Sequence, residues 1–244
     1  MENRKQINIM DPKVSVILTS YNKPDYLEIA IQSVLNQTYQ NYELIIADDN
    51  SKDLSVFEVI ARHQNATNVK FYKSNVSDED RLKTTRYATQ INHAVRHYAT
   101  GKYICYLADD DHYYPLFLEK MIESAEKHTY DVSFCCQNIK DQDGNIDGAG
   151  DPSRGTRFFK EVLTRGADKL DHNQVMTTRS AFDAVDGWDD SPGWWGGADA
   201  AFFDRLEKAN YKFYPIDYHE PLQAKVYREK SVQWNIANNL RPDK

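Results

Sequence analysis

The sequence predicts an α/β fold: a mostly parallel central sheet with helices on both faces. Two observations carry that expectation. From Val14 to Gln137, short apolar strand-like runs alternate with amphipathic helical segments, the pattern of strand–helix–strand crossovers. The polar clusters Thr19-Ser20-Tyr21-Asn22, Asp48-Asp49-Asn50-Ser51 and Asp109-Asp110-Asp111 each fall where a predicted strand ends. In an open parallel sheet that is the edge where ligands bind.

Val14–Leu18 is a short, β-branched-rich run just after Pro12 and reads as a buried parallel strand. Pro24 and Asp25 then signal a helix start, and Leu27, Ala30, Ile31, Val34 and Leu35 share one helical face. The unit repeats. Glu43–Ala47 is a second strand, Val56, Val59 and Ile60 mark a second helix, and Val69–Lys73 is a third strand. Tyr87, Ile91, Ala94, Val95 and Tyr98 line a third helix ahead of strand Lys102–Leu107, and Leu118, Met121, Ile122 and Ala125 line a fourth ahead of strand Val132–Gln137. The regularity then fades. Asp141–Gly150 reads as a hairpin or mobile loop with a tight turn at Asp143-Gly144. Val175–Thr178 is strand-like, Ala198–Ala209 a helix, and Tyr211–Ile216 a last strand. Residues 218–244 show weak periodicity and read as a tail or lid.

Bulk properties narrow the function classes. The 244 residues, 41% hydrophobic, fit one large domain with a proper core. The net charge of -7, with scattered Lys and Arg, argues against a nucleic-acid partner. No apolar run approaches the ~20 residues of a membrane span, and residues 1–10 lack a secretory apolar region. The expectation is a soluble, cytoplasmic protein. Its three cysteines form no disulfide or zinc pattern.

The run Asp109-Asp110-Asp111 is the densest chemical signal. Adjacent carboxylates repel, so one holds a raised pKa unless a cation sits among them. Carboxylate ligands suit Mg2+ or Mn2+, and Mg2+ is commonly shared between one or two carboxylates and substrate phosphates. A solvated acidic loop capping the next helix is the other reading. A Tyr ring such as Tyr21 can stack on a base, and an Asp can accept from a pyrimidine N–H or a ribose hydroxyl. Arg81 and Arg86 could pair with phosphate, although ordinary surface charge fits Arg86 better than Arg81. His93 and His97 have the spacing of a zinc pair but no third ligand in view, so a solvated helix face is preferred.

The chain resembles the family 2 glycosyltransferases of the GT-A fold. The resemblance rests on Pro12–Ile17 with Thr19–Lys23, on Asp48–Ser51, on Lys83–Ala88 with Ile91-Asn92, and on Ala108–Pro115. It continues more weakly through Asp171-His172 and Val175-Met176 to Asp199-Ala200 and Phe202-Phe203. It implies a GT-A domain over residues 1–244, with a donor half at about 11–115 and an acceptor half at about 116–217. The implied reaction is an inverting, metal-dependent sugar transfer from a nucleotide diphosphate-sugar, UDP- or TDP-linked, to a hydroxyl of a glycan or other acceptor in bacterial surface glycan synthesis.

By that resemblance Thr19 and Tyr21 line the base, Asp49 reads the pyrimidine, Arg81 also contacts the nucleotide and Asp109 holds the ribose. Asp110 is the leading metal ligand and Asp111 a second. In the family pattern the first acidic residue of the metal motif falls at Ala108 here. Asp199 matches the family's catalytic base, although Asp also caps helices. Trp188, Trp194 and Trp195 could form a sugar platform, with core packing the alternative for at least one. Asp171 and His172 are candidates to face the acceptor or donor sugar, with a satisfied structural His the other reading, and His219 could approach the metal. Two rivals have less support. A sugar nucleotidyltransferase needs a Gly-rich loop after the first strand, and Thr19–Pro24 holds no glycine. A non-catalytic nucleotide- or glycan-binding protein of the same fold would have no use for a positioned base.

Overall fold

The computed structural model describes residues 13–141, 143–146, 155–192 and 197–226. Strands β1 (Val14–Ser20), β2 (Tyr42–Asp48), β3 (Val69–Lys73) and β4 (Tyr103–Ala108) alternate with helices α1 (Pro24–Leu35), α2 (Ser55–His63) and α3 (Arg86–His97). Then follow β5 (His112–Tyr113), α4 (Phe117–His128), β6 (Val132–Phe134), β7 (Cys136–Lys140) and β8 (Thr156–Arg157). The last elements are β9 (Val175–Thr178), α5 (Arg179–Ala184), α6 (Ala198–Lys208), β10 (Tyr214–Pro215) and β11 (Pro221–Val226).

The main sheet has seven strands in the order β10-β6-β9-β4-β1-β2-β3, and only β9 runs antiparallel to its neighbours. Side chains alternate across each strand. From β1, Val14, Val16 and Leu18 enter a core shared with α1, α2 and α4, while Ile17 enters the opposite core with α3, α5 and α6. The expected mostly parallel sheet with helices on both faces is therefore present.

Three expectations need correction. The predicted strand Val132–Gln137 is two strands: β6 stays in the main sheet, whereas β7 enters a second sheet ordered β5-β11-β7-β8. Cys135 is the crossing point, its N–H donating to Gln174 O at 3.0 Å. Both strands are buried and only Cys135 separates them, so the predicted run continued across the switch of sheet. The predicted strand Tyr211–Ile216 pairs in the main sheet only at Tyr214–Pro215. The stretch from residue 218 holds the buried strand β11, parallel to β7 and antiparallel to β5; residues 227–244 lie outside the described ones. The tight turn at Asp143-Gly144 is present, with Gly144 at φ 85° and its N–H donating to Asp141 O at 3.0 Å.

A buried carboxylate pins the opposite end of the sheet. Glu43, in β2, is 1% exposed and accepts from Ser15 Oγ at 2.7 Å, Thr100 N at 2.6 Å, Lys13 Nζ at 3.0 Å and Lys70 Nζ at 2.7 Å. Burial alone would raise its pKa, but hydrogen bonds from Lys70, Ser15, Thr100 and Lys13 outweigh it and bring the value to about 2, from 4.5. A depressed carboxylate pKa gives stability that is present above the unfolded value and lost as pH falls toward the folded one. The melting temperature of the wild type should therefore decline between about pH 4.5 and 2. In Glu43→Gln the stability at pH 7 should be lower by about 1–3 kcal/mol and the acid decline shallower, both measurable by urea denaturation across pH.

Candidate active site

The strands β1, β2 and β4 end in register. Thr19 lies opposite Ala47 and Ala108, and Ser20 opposite Asp48. The parallel sheet thus delivers the loops at residues 20–23, 49–54 and 109–111 to one edge, as their polar composition predicted.

Asn22 ties the first two loops together. At φ 55°, a left-handed conformation that Asn tolerates, its Oδ1 accepts from Lys52 N at 2.7 Å and Asp53 N at 3.1 Å, and its own N–H donates to Ser51 Oγ at 3.0 Å. Asp48 is fully buried and accepts from Ser51 N at 2.9 Å, so it closes the turn and leaves Asp49 to face the chain between residues 74 and 90. Asp49 accepts from Arg81 Nη1, from Arg86 Nη2 at 2.6 Å and Nε at 3.0 Å, and from Gln90 Nε2 at 2.8 Å. The Arg81 guanidinium also lies 4.2 Å from the Tyr21 ring centroid, a cation–π contact. Arg86 is a correction: its side chain is 14% exposed and engaged with Asp49, so it is no ordinary surface charge.

The acidic run divides into three different environments. Asp109 is 5% exposed and accepts from Tyr21 N at 2.8 Å and Lys23 Nζ at 3.1 Å. Burial, opposed by Lys23 and reinforced by Asp110, raises its pKa to about 6. Asp110 accepts from Lys23 Nζ at 2.7 Å. Burial works against charge on Lys23, but Asp109 and Asp110 outweigh it and hold the ammonium well above its usual pKa. Asp111 turns the other way: its Oδ1 accepts from Val226 N at 2.7 Å and its Oδ2 from Asn173 Nδ2 at 2.8 Å. Burial and then Asp110 push its pKa up, against Lys225.

Asp199 lies in the first turn of α6, whose N-cap is Gly197, so Asp199 is not the capping residue. Its side chain is 21% exposed, and His172 Nδ1 stands 3.6 Å from its Oδ2 and 4.0 Å from Asp171 Oδ1. The turn His172–Gln174 carries a capping box from Asp171 and packs His172 beside Tyr87 and Trp188. Asp171 is 3% exposed and paired with Lys225. Burial alone would raise the Asp171 pKa, but Lys225 and His172 outweigh it and hold the carboxyl well below its usual range.

Tyr21, Asp109 and Asp110 are thus gathered near Lys23, Thr19 ends β1 beside Ala108, Asp49 and Arg81 stand beside Tyr21, and Asp199 lies with Asp171 and His172. Sequence reasoning gave no role to Lys23, Asn173 or Lys225. A signal existed for Lys225: Leu222, Ala224 and Val226 alternate with polar residues, the period of a strand. Trp188 is 1% exposed and stacks on Phe202 at 4.9 Å, so it packs in the core rather than offering a platform; Trp194 and Trp195 lie outside the described residues. The rings of His93 and His97 lie 4.4 Å apart, with His93 also stacked on Tyr72 at 4.1 Å, and His219 packs at 5.1 Å on Phe158.

Asp110 is paired with the Lys23 ammonium, and a divalent cation there would share its carboxylate with that group or displace it. Asp171, His172 and Asp199 each offer one ligand atom within 4.8 Å of the others and could hold a metal ion.

The model of glycosyl transferase family 2 matches residues 15–185, and the chain belongs to that family. It is 38% identical to Protein CgeD of Bacillus subtilis (strain 168) over 215 residues, covering 85% of this chain and 49% of that protein, so it spans about half of the relative's length. The fold is that of GT-A glycosyltransferases. Residues 1–349 of S. aureus TarS, solved with UDP-GlcNAc, superpose with a TM-score of 0.67 at 17% identity, covering 89% of this chain and 59% of that one. The mannosyltransferase PcManGT of Pyrobaculum calidifontis, solved with GDP-Man and Mn2+, gives 0.66 at 16% identity, covering 94% and 61%. No helix among the described residues is long and apolar enough to cross a membrane.

The Asp49 cluster yields a direct test of Arg86. Truncation to Arg86→Ala removes charge-assisted hydrogen bonds to a buried carboxylate and should cost about 1.5–3 kcal/mol in urea denaturation. An ordinary surface arginine would change stability by less than about 0.5 kcal/mol.

Proposed function

We propose that this chain is an inverting, metal-dependent glycosyltransferase that moves a sugar from a UDP- or TDP-linked donor to an acceptor hydroxyl. The observation that carries the reading is the placement of Asp199. It is a partly exposed carboxylate beside His172, linked through Asp171, Asn173 and Asp111 to the loop that would hold the donor's diphosphate. The neighbours solved with UDP-GlcNAc and with GDP-Man and Mn2+ support nucleotide-sugar chemistry on this fold.

In this reading Tyr21 and Thr19 flank the base and Asp49, oriented by Arg81 and Arg86, meets its hydrogen-bonding edge. Asp109 receives the ribose. Asp110 would hold a Mg2+ or Mn2+ ion, while Asp111 fixes the loop through Val226 and Asn173. Such an ion, when bound, would supply positive charge against that building on the departing diphosphate. Lys23 keeps Asp109 and Asp110 paired and oriented before the donor arrives. The acceptor oxygen attacks the anomeric carbon, the bond from that carbon to the diphosphate oxygen breaks, and the acceptor proton passes to Asp199. Attack from the face opposite the leaving group inverts the anomeric centre. In this reading the acceptor belongs to bacterial surface glycan synthesis, as the family resemblance implies.

Asp199→Asn should lower turnover by about 10^2 to 10^4 while nucleotide binding is retained; an equal loss of nucleotide affinity would remove Asp199 from the base role. The donor site is tested by thermal shift with UDP, TDP, GDP and CMP, with and without Mn2+ or Mg2+. A ligand at one hundred times its Kd adds about 2.7 kcal/mol, roughly 5 to 10 °C. The expected result is a metal-dependent shift with UDP or TDP that disappears in Asp110→Ala. No shift with any nucleotide, together with no donor turnover, would overturn the reading.

A further inference from the structure

Strand β11 carries a charge into the middle of the site. Lys225 is 7% exposed and its Nζ donates to Asp171 Oδ2. The next residue, Val226, donates its N–H to Asp111 Oδ1 at 2.7 Å. Asn173 closes the group. It is fully buried, its Nδ2 donates to Asp111 Oδ2 at 2.8 Å and to Asp171 Oδ1 at 2.6 Å, and its Oδ1 accepts from Ala108 N at 2.8 Å. The end of β4, the acidic loop, the 171–174 turn and β11 are therefore one hydrogen-bonded unit.

Among the described residues, that unit has a charge imbalance. Asp111 and Asp171 are buried, Asp199 faces His172 nearby, and Lys225 is the cation paired with Asp171. Asp171, His172 and Asp199 present ligand atoms within 4.8 Å of one another, a spacing that suits a divalent ion. Negative charge without a counter-charge in a low-dielectric setting attracts the nearest available cation. Here an ammonium on a rigid strand already meets that demand.

We infer that Lys225 is the resident cation of the Asp111–Asp171–His172–Asp199 group: a positioning residue that fixes Asp171 and His172 against Asp199 and keeps a divalent ion away from the base. An ion on Asp199 would tie up the oxygen that has to accept the acceptor's proton. The catalytic part of this inference rests on the transfer reaction proposed above. The ion-exclusion part stands on the geometry alone.

The test uses the full chain and four proteins: wild type, Lys225→Met, Lys225→Arg and the double variant Asp171→Asn/Lys225→Met. Mn2+ alone is titrated and the free ion counted by electron paramagnetic resonance. Lys225→Met should bind one more Mn2+ per chain than wild type. Lys225→Arg should not, and in the double variant, which lacks the Asp171 carboxylate charge, the extra ion should disappear. UDP-GlcNAc hydrolysis supplies the second readout: kcat should fall about 10- to 100-fold in Lys225→Met with KM nearly unchanged, and Lys225→Arg should recover part of it. A folded Lys225→Met that binds the same number of Mn2+ ions as wild type overturns the inference. If Lys225→Met does not fold, Lys225→Gln takes its place with the same outcomes. Wild type that neither binds UDP nor turns over a donor would instead defeat the proposed function, leaving the Mn2+ count to decide the role of Lys225.

Discussion

Carboxylates buried at the carboxyl edge of the sheet are held by cations sent from other parts of the chain, and the arrangement of the edge depends on that pairing. Asp49 is matched by Arg81 and Arg86, Asp109 and Asp110 by Lys23, and Asp171 by Lys225. Removing one partner of such a pair leaves a desolvated charge, which is costly, so each pair fixes the position of the segment that brings its cation. Lys23 sets the start of α1 against the acidic loop. Lys225 sets β11 against the 171–174 turn.

This pairing explains how a site of mostly acidic residues exists before any ligand arrives. Ammonium and guanidinium groups differ in what they leave available. A guanidinium spreads its charge over a plane, so Arg81 can bond Asp49 and lie over Tyr21 at the same time. An ammonium is a compact point charge, and Lys23 sits 3.1 Å from Asp109 and 2.7 Å from Asp110, as a small ion would. The family motif places an acidic residue where this chain has Ala108, so that strand end carries one negative charge fewer. The Ala108 N–H is bonded to Asn173, which carries the connection from β4 to the turn bearing His172.

The fold was largely legible because its first half is repetitive and its signals are local. Helix α1 shows its apolar stripe and proline start in consecutive residues, and β1, β2 and β4 are runs of buried branched residues. The parts that were misread share a physical cause. The break at Cys135 joins two buried strands that enter different sheets, and a single residue between them is too short to show as a turn in the pattern. Strand β11 alternates apolar and polar residues, but its polar residues Gln223 and Lys225 are buried by partners that arrive from β7 and the 171–174 turn. The counter-charge of Arg86, Asp49, is 37 residues away, so the local pattern does not mark it as buried.

The sequence by itself determined the alternation of strands and helices, the edge at which the polar loops collect, and the membership in a glycosyltransferase family that those loops announce. These follow from periodicity and from short motifs, which act over a few residues. The tertiary structure decided what each carboxylate faces: Asp110 beside Lys23, Asp111 turned to Val226 and Asn173, Asp199 facing His172. It also placed Lys225 inside the site. Those assignments depend on desolvation and on charges brought together from distant positions, and neither is written in the local pattern of a chain.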